Sequence, residues 1–420
     1  MSTVDEEPLY WESYGAIQKA KHDLIKEYLN GWFPKMTLGG TGVSKLLYID
    51  THAGRGVHKG GESGSPVVAV ETLFNHASRD DILRNTEVIM YFIERNEANA
   101  AVLTEQLQRY RHVRNLQLQV VCADAFCHLS DVHALFQAER TLWPASLLFV
   151  DPYGFKLPAS LFRQFLSYPK VEMFVNVMWR WLYMSQRQAL GAPCEDDVEP
   201  VAVIRKKAPS LFDQEEDDES EVADQDSDED RKMDQAFASR GAAQQEANQR
   251  LMDMVFGGDL WRQLVGDTNE DRADCCAELF RQVYGATWAT HLRMRKKNQT
   301  RHFLLHLTNH REGRNLMKDC CWKVSPSGGF YASDSCAPKQ RILMEPEPEL
   351  TRLHEWLCQR LSSGPRRWEL LKLDLDDVLW LRKHLAEVIN DGIKRKVFEL
   401  DEGDRLIQKR NQEVRLRQRQ

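Results

Sequence analysis

Short apolar runs alternate with amphipathic stretches along the first half of the chain. Lys45–Asp50, Val88–Glu94, Leu116–Asp124, Ser146–Asp151 and Met173–Val177 are rich in Val, Ile, Leu and Phe. Runs of this length predict buried strands of a parallel sheet covered on both faces. Between them Glu97–Tyr110, His128–Gln137 and Pro158–Leu166 have helical length and spacing, and Ser65-Pro66 supplies an N-cap and first-turn pair for a helix through Phe74. The alternation predicts an α/β fold on a doubly wound, mostly parallel sheet.

Past the middle the pattern changes. Ala243–Leu264 and Arg272–Tyr284 read as helices. Ala286–Arg295 and His302–Thr308 read as strands around the turn Lys296-Lys297-Asn298-Gln299, an antiparallel terminal hairpin that brings the sheet to seven strands. Alternation puts His302, His306 and His310 on one side of the second strand and Phe303, Leu305 and Leu307 on the other. Histidines four residues apart on a strand are separated by about 13 Å, too far to share one ion, so a polar strand face is expected there and no metal site. From Pro346 onward Leu350, Leu353, Trp356 and Leu357, then Val378, Leu379, Leu381, Leu385 and Val388, keep a helical period, and Val397–Leu400 reads as a short strand before Gly403. A small helical or winged-helix-like C-terminal unit is expected.

Charge refines this division. The net charge of −7 includes twelve acids and no Lys or Arg between Asp213 and Asp230, so the remainder carries −7 + 12 = +5. So dense an acidic run cannot bury apolar surface and predicts a disordered insertion. The expected organisation is residues 1–193 as the first part of the α/β core, 194–243 as the acidic insertion, 244–340 as helices and edge hairpin completing the core, and 341–420 as the C-terminal unit. Basic residues gather at Arg293, Arg295, Lys296, Lys297 and Arg301, and in a tail holding Arg405, Lys409, Arg410, Arg415, Arg417 and Arg419; either could meet phosphate. The nine cysteines form two adjacent doublets, Cys275-Cys276 and Cys320-Cys321, and five lone residues, without the two-residue spacing of a zinc site. No apolar stretch reaches the roughly 20 residues of a membrane helix, and Met1 to Pro8 is acidic with no apolar segment after it. A cytoplasmic protein with free thiols and no membrane partner is expected.

The candidate chemistry lies where the strands end, because ligands of open α/β sheets bind outside the carboxyl ends of the strands. The first strand ends in Asp50 and opens into Thr51-His52-Ala53-Gly54-Arg55-Gly56, where glycines permit close backbone approach. A dinucleotide fingerprint would need glycine at position 59, which is Lys59. The second strand ends in Glu94, an acid suited to two ribose hydroxyls; the third ends in Ala123-Asp124-Ala125, the fourth in Asp151-Pro152-Tyr153-Gly154. Acid, rigid turn and aromatic ring together suit a flat, amine-bearing substrate.

In this order, Lys21-His22 with Tyr28-Leu29 and Trp32, Ile49–Gly56, Gly64-Ser65-Pro66, Phe92-Ile93-Glu94, Phe149–Gly154, and Leu307-Thr308-Asn309-His310 with Met317-Lys318 resemble the S-adenosylmethionine-dependent methyltransferases of the doubly wound class, and more closely the three-Cys-motif partner (TcmP) family. The resemblance implies a Rossmann-like methyltransferase sheet and an S-adenosylmethionine cofactor held around Asp50, Ala53, Gly54, Gly56, Glu94, Asp124 and Ala125. It also implies a three-Cys-motif protein as partner. Asp151-Pro152-Tyr153-Gly154 is similar to the motif of the tRNA guanine-amine methyltransferases. In that scheme Asp151 and the Pro152 carbonyl orient a base amine, Tyr153 or Phe155 stacks on the base, and the substrate is RNA or DNA. A non-catalytic protein of the same fold, binding nucleotide or nucleic acid beside a partner, is the alternative.

Overall fold

A computed structural model describes residues 15–40, 43–58, 60–139, 142–152, 154–192, 242–296, 299–326, 331–333, 348 and 350–417. The acidic run and Tyr153 lie outside the described residues. The first unit is an open sheet. Strands β1 (Lys45–Asp50), β2 (Glu87–Glu94), β3 (Leu116–Cys122), β4 (Ala145–Val150) and β5 (Val171–Val177) are mutually parallel. The edge hairpin is present as β6 (Trp288–Lys296) and β7 (Gln299–Thr308), with β7 antiparallel to both β5 and β6. The order is β3-β2-β1-β4-β5-β7-β6, and β8 (Tyr331–Ser333) adds an eighth, three-residue strand outside β6. The direction of strand addition reverses between β1 and β4.

Every position of β4 and β5 is buried, with successive side chains going to opposite faces of the sheet. One face sends Ile49, Leu148, Val150, Met173, Val175, Val177, Leu305 and Leu307 into a core shared with the helices Ala159–Leu166, Trp179–Ala189, Ala242–Phe256 and Asn269–Tyr284. The last of these is well specified locally: Thr268 and Asp271 form a capping box, and Gly285 ends it in the left-handed conformation at φ 75. The opposite face meets α1 (Ala16–Thr37). Leu24, Ile25, Tyr28, Leu29, Trp32 and Phe33 repeat at helical spacing and are buried. Each contributes roughly 1.5–3 kcal/mol of burial. Tyr28 packs edge-on against Phe174 at 4.9 Å and hydrogen-bonds Glu172 near the start of β5, while Lys21, two turns earlier, reaches Asp151 just beyond the end of β4. Seven residues of helix rise about 10 Å and four of strand about 13 Å, so α1 runs antiparallel to β5 with its first turns at the carboxyl edge of the sheet.

The second unit comprises Asn315–Tyr331 with Lys339–Gln420. Residues 315–331 therefore leave the core segment 244–340 in which the sequence placed them, and the helix Arg311–Val324 begins in one unit and continues in the other. The order from Thr351 is helix (Thr351–Leu361), strand β9 (Arg366–Arg367), helices (Trp368–Asp374 and Arg382–Lys394), then β10 (Phe398–Leu400) and β11 (Glu413–Leu416) in an antiparallel sheet ordered β10-β11-β9. Its core includes Leu353, Leu357, Trp368, Leu371, Leu385, Ile389, Phe398 and Val414. The expected basic tail is thus partly a strand, in which Arg415 pairs with Glu399 at 2.8 Å; Arg419 lies outside the described residues. Among the described residues no helix is long and apolar enough to cross a membrane.

Candidate functional site

The loop after β1 is folded back on the neighbouring strands. Thr51 N donates to Phe149 O at 2.9 Å and Ala53 N to Ile93 O at 3.0 Å, tying the loop to β4 and β2. Gly54 N donates to Glu94 Oε2 at 2.8 Å, and Asn96 N to Glu94 Oε1 at 2.7 Å. Gly54 and Gly56 take φ of 63 and 86, a region where a side chain is strained. At Gly56 a Cβ would also stand 2.7 Å from Leu103 Cδ1. Gly64 N donates to Gly56 O at 2.7 Å and begins the helix Ser65–Phe74 as its N-cap. Ser65 is therefore not the cap that the sequence suggested: its hydroxyl donates to Asp50 Oδ2 at 2.7 Å.

Asp50 is fully buried, with Oδ1 accepting from His52 N at 3.2 Å. Burial, helped by the nearby Asp151 and opposed by the Ser65 hydrogen bond, pushes its carboxyl up to about 7. Asp50 fixes the loop from below and presents no surface to a ligand, which corrects its expected role as a cofactor contact. Ala53 and Ala125 are likewise buried backbone positions. Glu94 keeps part of its surface, and Asp124 is exposed at the N-cap of the helix Ala125–Ala138, where Cys127 N donates to Oδ1 at 3.1 Å and holds the carboxyl below its ordinary range.

Asp151 sits at the strand-order reversal, on the face of the sheet that meets α1. Lys21 Nζ donates to Oδ2, and Asn176 Nδ2 donates to Oδ1 at 2.7 Å. The Lys21 and Asp151 side chains are 5% and 13% exposed, so this is a nearly dry ion pair. Burial pushes the Asp151 carboxyl up, but Lys21, Asn176 and His52 outweigh it and hold the group below the usual carboxylate range. The surrounding imidazoles are kept neutral. His22 is lowered to about 3 by burial and Lys21, and His302 to about 4 by burial and Lys21 against the pull of Asp151. His52 falls to about 4 through burial, opposed by Asp151 and Asp124. Phe155 is buried in the core, so its ring packs and is not available to stack on a base; Pro152 is buried beside Asp151.

The three histidines of β7 and its end go to separate places. His302 is near Lys21 and Asp151, His306 bonds Glu172 at 2.9 Å, and His310 meets the Pro169 carbonyl. Among the described residues no group of three or more His, Cys, Asp or Glu gathers as metal ligands. Two arginines of the basic hairpin are paired within the protein: Arg293 with Glu270 and Asp274, and Arg295 with Glu270 at 2.8 Å, so these two are not an open phosphate site, while Lys297 lies outside the described residues. Asn309 clamps the hairpin, accepting from Thr287 N and Oγ1 and donating to Leu166 O.

Two features of the centre are absent from the motifs: Lys21 belongs to the resemblance but nothing there marks it as the counter-ion of Asp151, and Asn176 belongs to no motif. Both left a signal. Lys21 lies on the stripe continued by Leu24, Ile25 and Tyr28, and Asn176 interrupts the otherwise apolar end of Val171–Val177. A polar group on a buried face needs a partner.

No family model and no curated protein matches the chain. Among solved structures, the crystal structure of protein LPL1258 from Legionella pneumophila str. Philadelphia 1, described with the family model DUF519, is similar at a TM-score of 0.23 and 17% identity, covering 37% of this chain and 67% of that one. A likeness at that score carries no weight for the fold.

Proposed function

We propose that the first unit is an S-adenosylmethionine-dependent methyltransferase acting on an exocyclic amine of a nucleic-acid base. The observation that carries the reading is the bond from Gly54 N to Glu94 Oε2, which closes the glycine loop onto the acid ending β2, immediately beside the strand-order reversal. The strand order, with one antiparallel strand between β5 and β6, is that of the methyltransferases the sequence resembles. The residues fit the cofactor: Glu94 is a part-exposed carboxylate held beside the glycine loop by Gly54 N and Asn96 N, and a carboxylate is the acceptor that ribose hydroxyls require. Gly54 and Gly56 would line the chain of the ligand, and the exposed Asp124 would take the adenine amine. S-adenosylmethionine supplies an electrophilic methyl group on a sulfonium. The protein's part is positioning, worth several kcal/mol when a near-attack geometry is held. Asp151, kept ionised by Lys21, orients the amine, with the Pro152 carbonyl beside it.

The second unit supplies a reading for the acceptor. Helix, strand, two helices and a hairpin follow the order of a winged helix, and Arg405, Lys409 and Arg410 are exposed between β10 and β11. By analogy of fold alone we assign it to nucleic-acid contact. The family resemblance adds a three-Cys-motif protein as partner. One observation favours the competing, non-catalytic reading: both Asp151 oxygens already hold donors from the protein itself.

Calorimetry with S-adenosylmethionine separates these. Binding is expected, weakened in Glu94→Ala; no binding by the unaltered chain sinks the enzyme reading. Transfer of labelled methyl to RNA or DNA is then expected, and is lost in Asp151→Asn while cofactor binding persists. Transfer undiminished by Asp151→Asn would remove Asp151 from the mechanism.

A further inference from the structure

Asn176 is 6% exposed, and its carboxamide is oriented by chemistry: Nδ2 must face the ionised Asp151, because the reverse orientation would set two acceptors against each other. That leaves Oδ1 buried and, among the described residues, without a hydrogen-bond partner. A buried acceptor left unpaired costs about 1–3 kcal/mol, and such exceptions call for an explanation. Asn176 follows Val175, which is paired with Val150, so it stands beside Asp151 on adjacent strands and projects to the same face as Phe174 and Glu172. Asp151 keeps 13% of its side chain open, which gives a ligand its approach to the pair.

Resting on the methyltransferase reading, we propose that Asn176 Oδ1 accepts one hydrogen of the substrate amine while Asp151 or the Pro152 carbonyl accepts the other, so that the site selects a primary amine and stops after one methyl. A planar –NH2 has two hydrogens to satisfy two acceptors; a hydroxyl has one. A carbonyl has no hydrogen to offer and a ring N–H has only one, so either would leave at least one of the two acceptors unpaired. Sites that require a donor reject analogues lacking it far more strongly than they reject a change of size. With both hydrogens held, the nitrogen lone pair is left facing the methyl group. The nitrogen–carbon bond forms as the carbon–sulfur bond breaks, both electrons of the latter going to sulfur, and the resulting ammonium releases one proton through Asp151 to water. The product –NHCH3 has a single hydrogen. A second transfer would leave one acceptor unpaired with a methyl group against it.

The test uses the full chain and an isosteric pair of variants. Asn176→Thr keeps an oxygen able to donate to Asp151 and to accept, whereas Asn176→Val has the same shape without it. Binding is measured without cofactor for short single-stranded oligoadenylate and oligocytidylate, whose bases carry exocyclic amines, and for oligoinosinate and oligouridylate, whose bases do not. The unaltered chain is expected to favour the amine-bearing member of a pair by about tenfold, the worth of one net hydrogen bond. The preference should vanish in Asn176→Val and return in Asn176→Thr, with S-adenosylmethionine affinity unchanged in both. Labelled products should be monomethylamines, with dimethylamines appearing in Asn176→Val. A preference that survives in Asn176→Val, or label found on ring atoms, overturns the proposal. Failure of the unaltered chain to bind S-adenosylmethionine would instead overturn the underlying reading; because base preference is read without cofactor, the two failures are distinct.

Discussion

Lys21 and Asp151 are charges placed where neither is tolerated alone. Removing one member of a buried pair leaves the other without compensation, at a cost of about 3–5 kcal/mol. Lys21→Met is therefore expected to destabilise the first unit by that order in urea unfolding, and Lys21→Met with Asp151→Asn together by clearly less than the sum of the single changes. The nearby titrations set a pH dependence. In the unfolded chain His22, His52 and His302 bind protons near 6.5, but in the folded chain only near 3 to 4. Between those values the unfolded state holds the extra protons, so their share of stability is complete above 6.5 and lost as pH falls toward 4. Asp50 acts in the opposite sense, since its folded carboxyl keeps a proton up to about 7 against an ordinary 3.8. One proton opposes three, so stability should decline as pH falls below 6.5. Unfolding midpoints of His302→Gln across that range should show a shallower decline than the parent chain; an identical slope would remove His302 from the account.

Among elements, the loop between β1 and the helix Ser65–Phe74 is the most tightly specified. Gly56→Ala would combine a positive φ with a Cβ against Leu103. A loss of about 1–3 kcal/mol in stability is expected, together with weaker S-adenosylmethionine binding in calorimetry. Stability and binding both unchanged would mean that the loop is not the cofactor element. The β6–β7 hairpin carries the contrary lesson. Its arginines look like a phosphate site along the chain, yet Glu270 and Asp274 on the facing helix occupy Arg293 and Arg295. Arg295→Gln should therefore leave RNA affinity and its salt dependence unchanged in filter binding, whereas a fall in the salt slope of about one unit would restore the phosphate reading.

For the whole molecule, the division into units decides which contacts can be read as one core. Residues 315–331 belong with the second unit: Lys318 donates to Leu375 O at 2.9 Å and Trp322 Nε1 to Leu379 O at 2.9 Å, and the Trp322 ring lies 4.2 Å from His384. Trp322→Ala should cost about 3–5 kcal/mol. In hydrogen exchange the loss of protection should fall on Thr351–Leu361 and Arg382–Lys394 and spare β1 to β5; loss spread evenly over both units would contradict the division.

Most of the sheet was legible in the sequence, because a buried strand must be apolar on both faces and a run such as Lys45–Asp50 keeps the same period wherever it is placed. The candidate loops were legible for a related reason: glycines at Gly54 and Gly56 and acids at strand ends are local requirements of turns and caps. The helix Trp179–Ala189, the first turn of the helix beginning at Asn269 and the eighth strand were not read, since their identity depends on what they pack against. The same holds for the centre of the site. Lys21 and Asp151 are separated by 130 residues, and nothing in either local sequence states that a helix will run antiparallel to β5 and set the lysine on the carboxylate. Sequence period determined which residues would be buried and where the chain would turn; tertiary structure alone decided which buried charges would meet, because electrostatic pairing depends on distance in space and not along the chain.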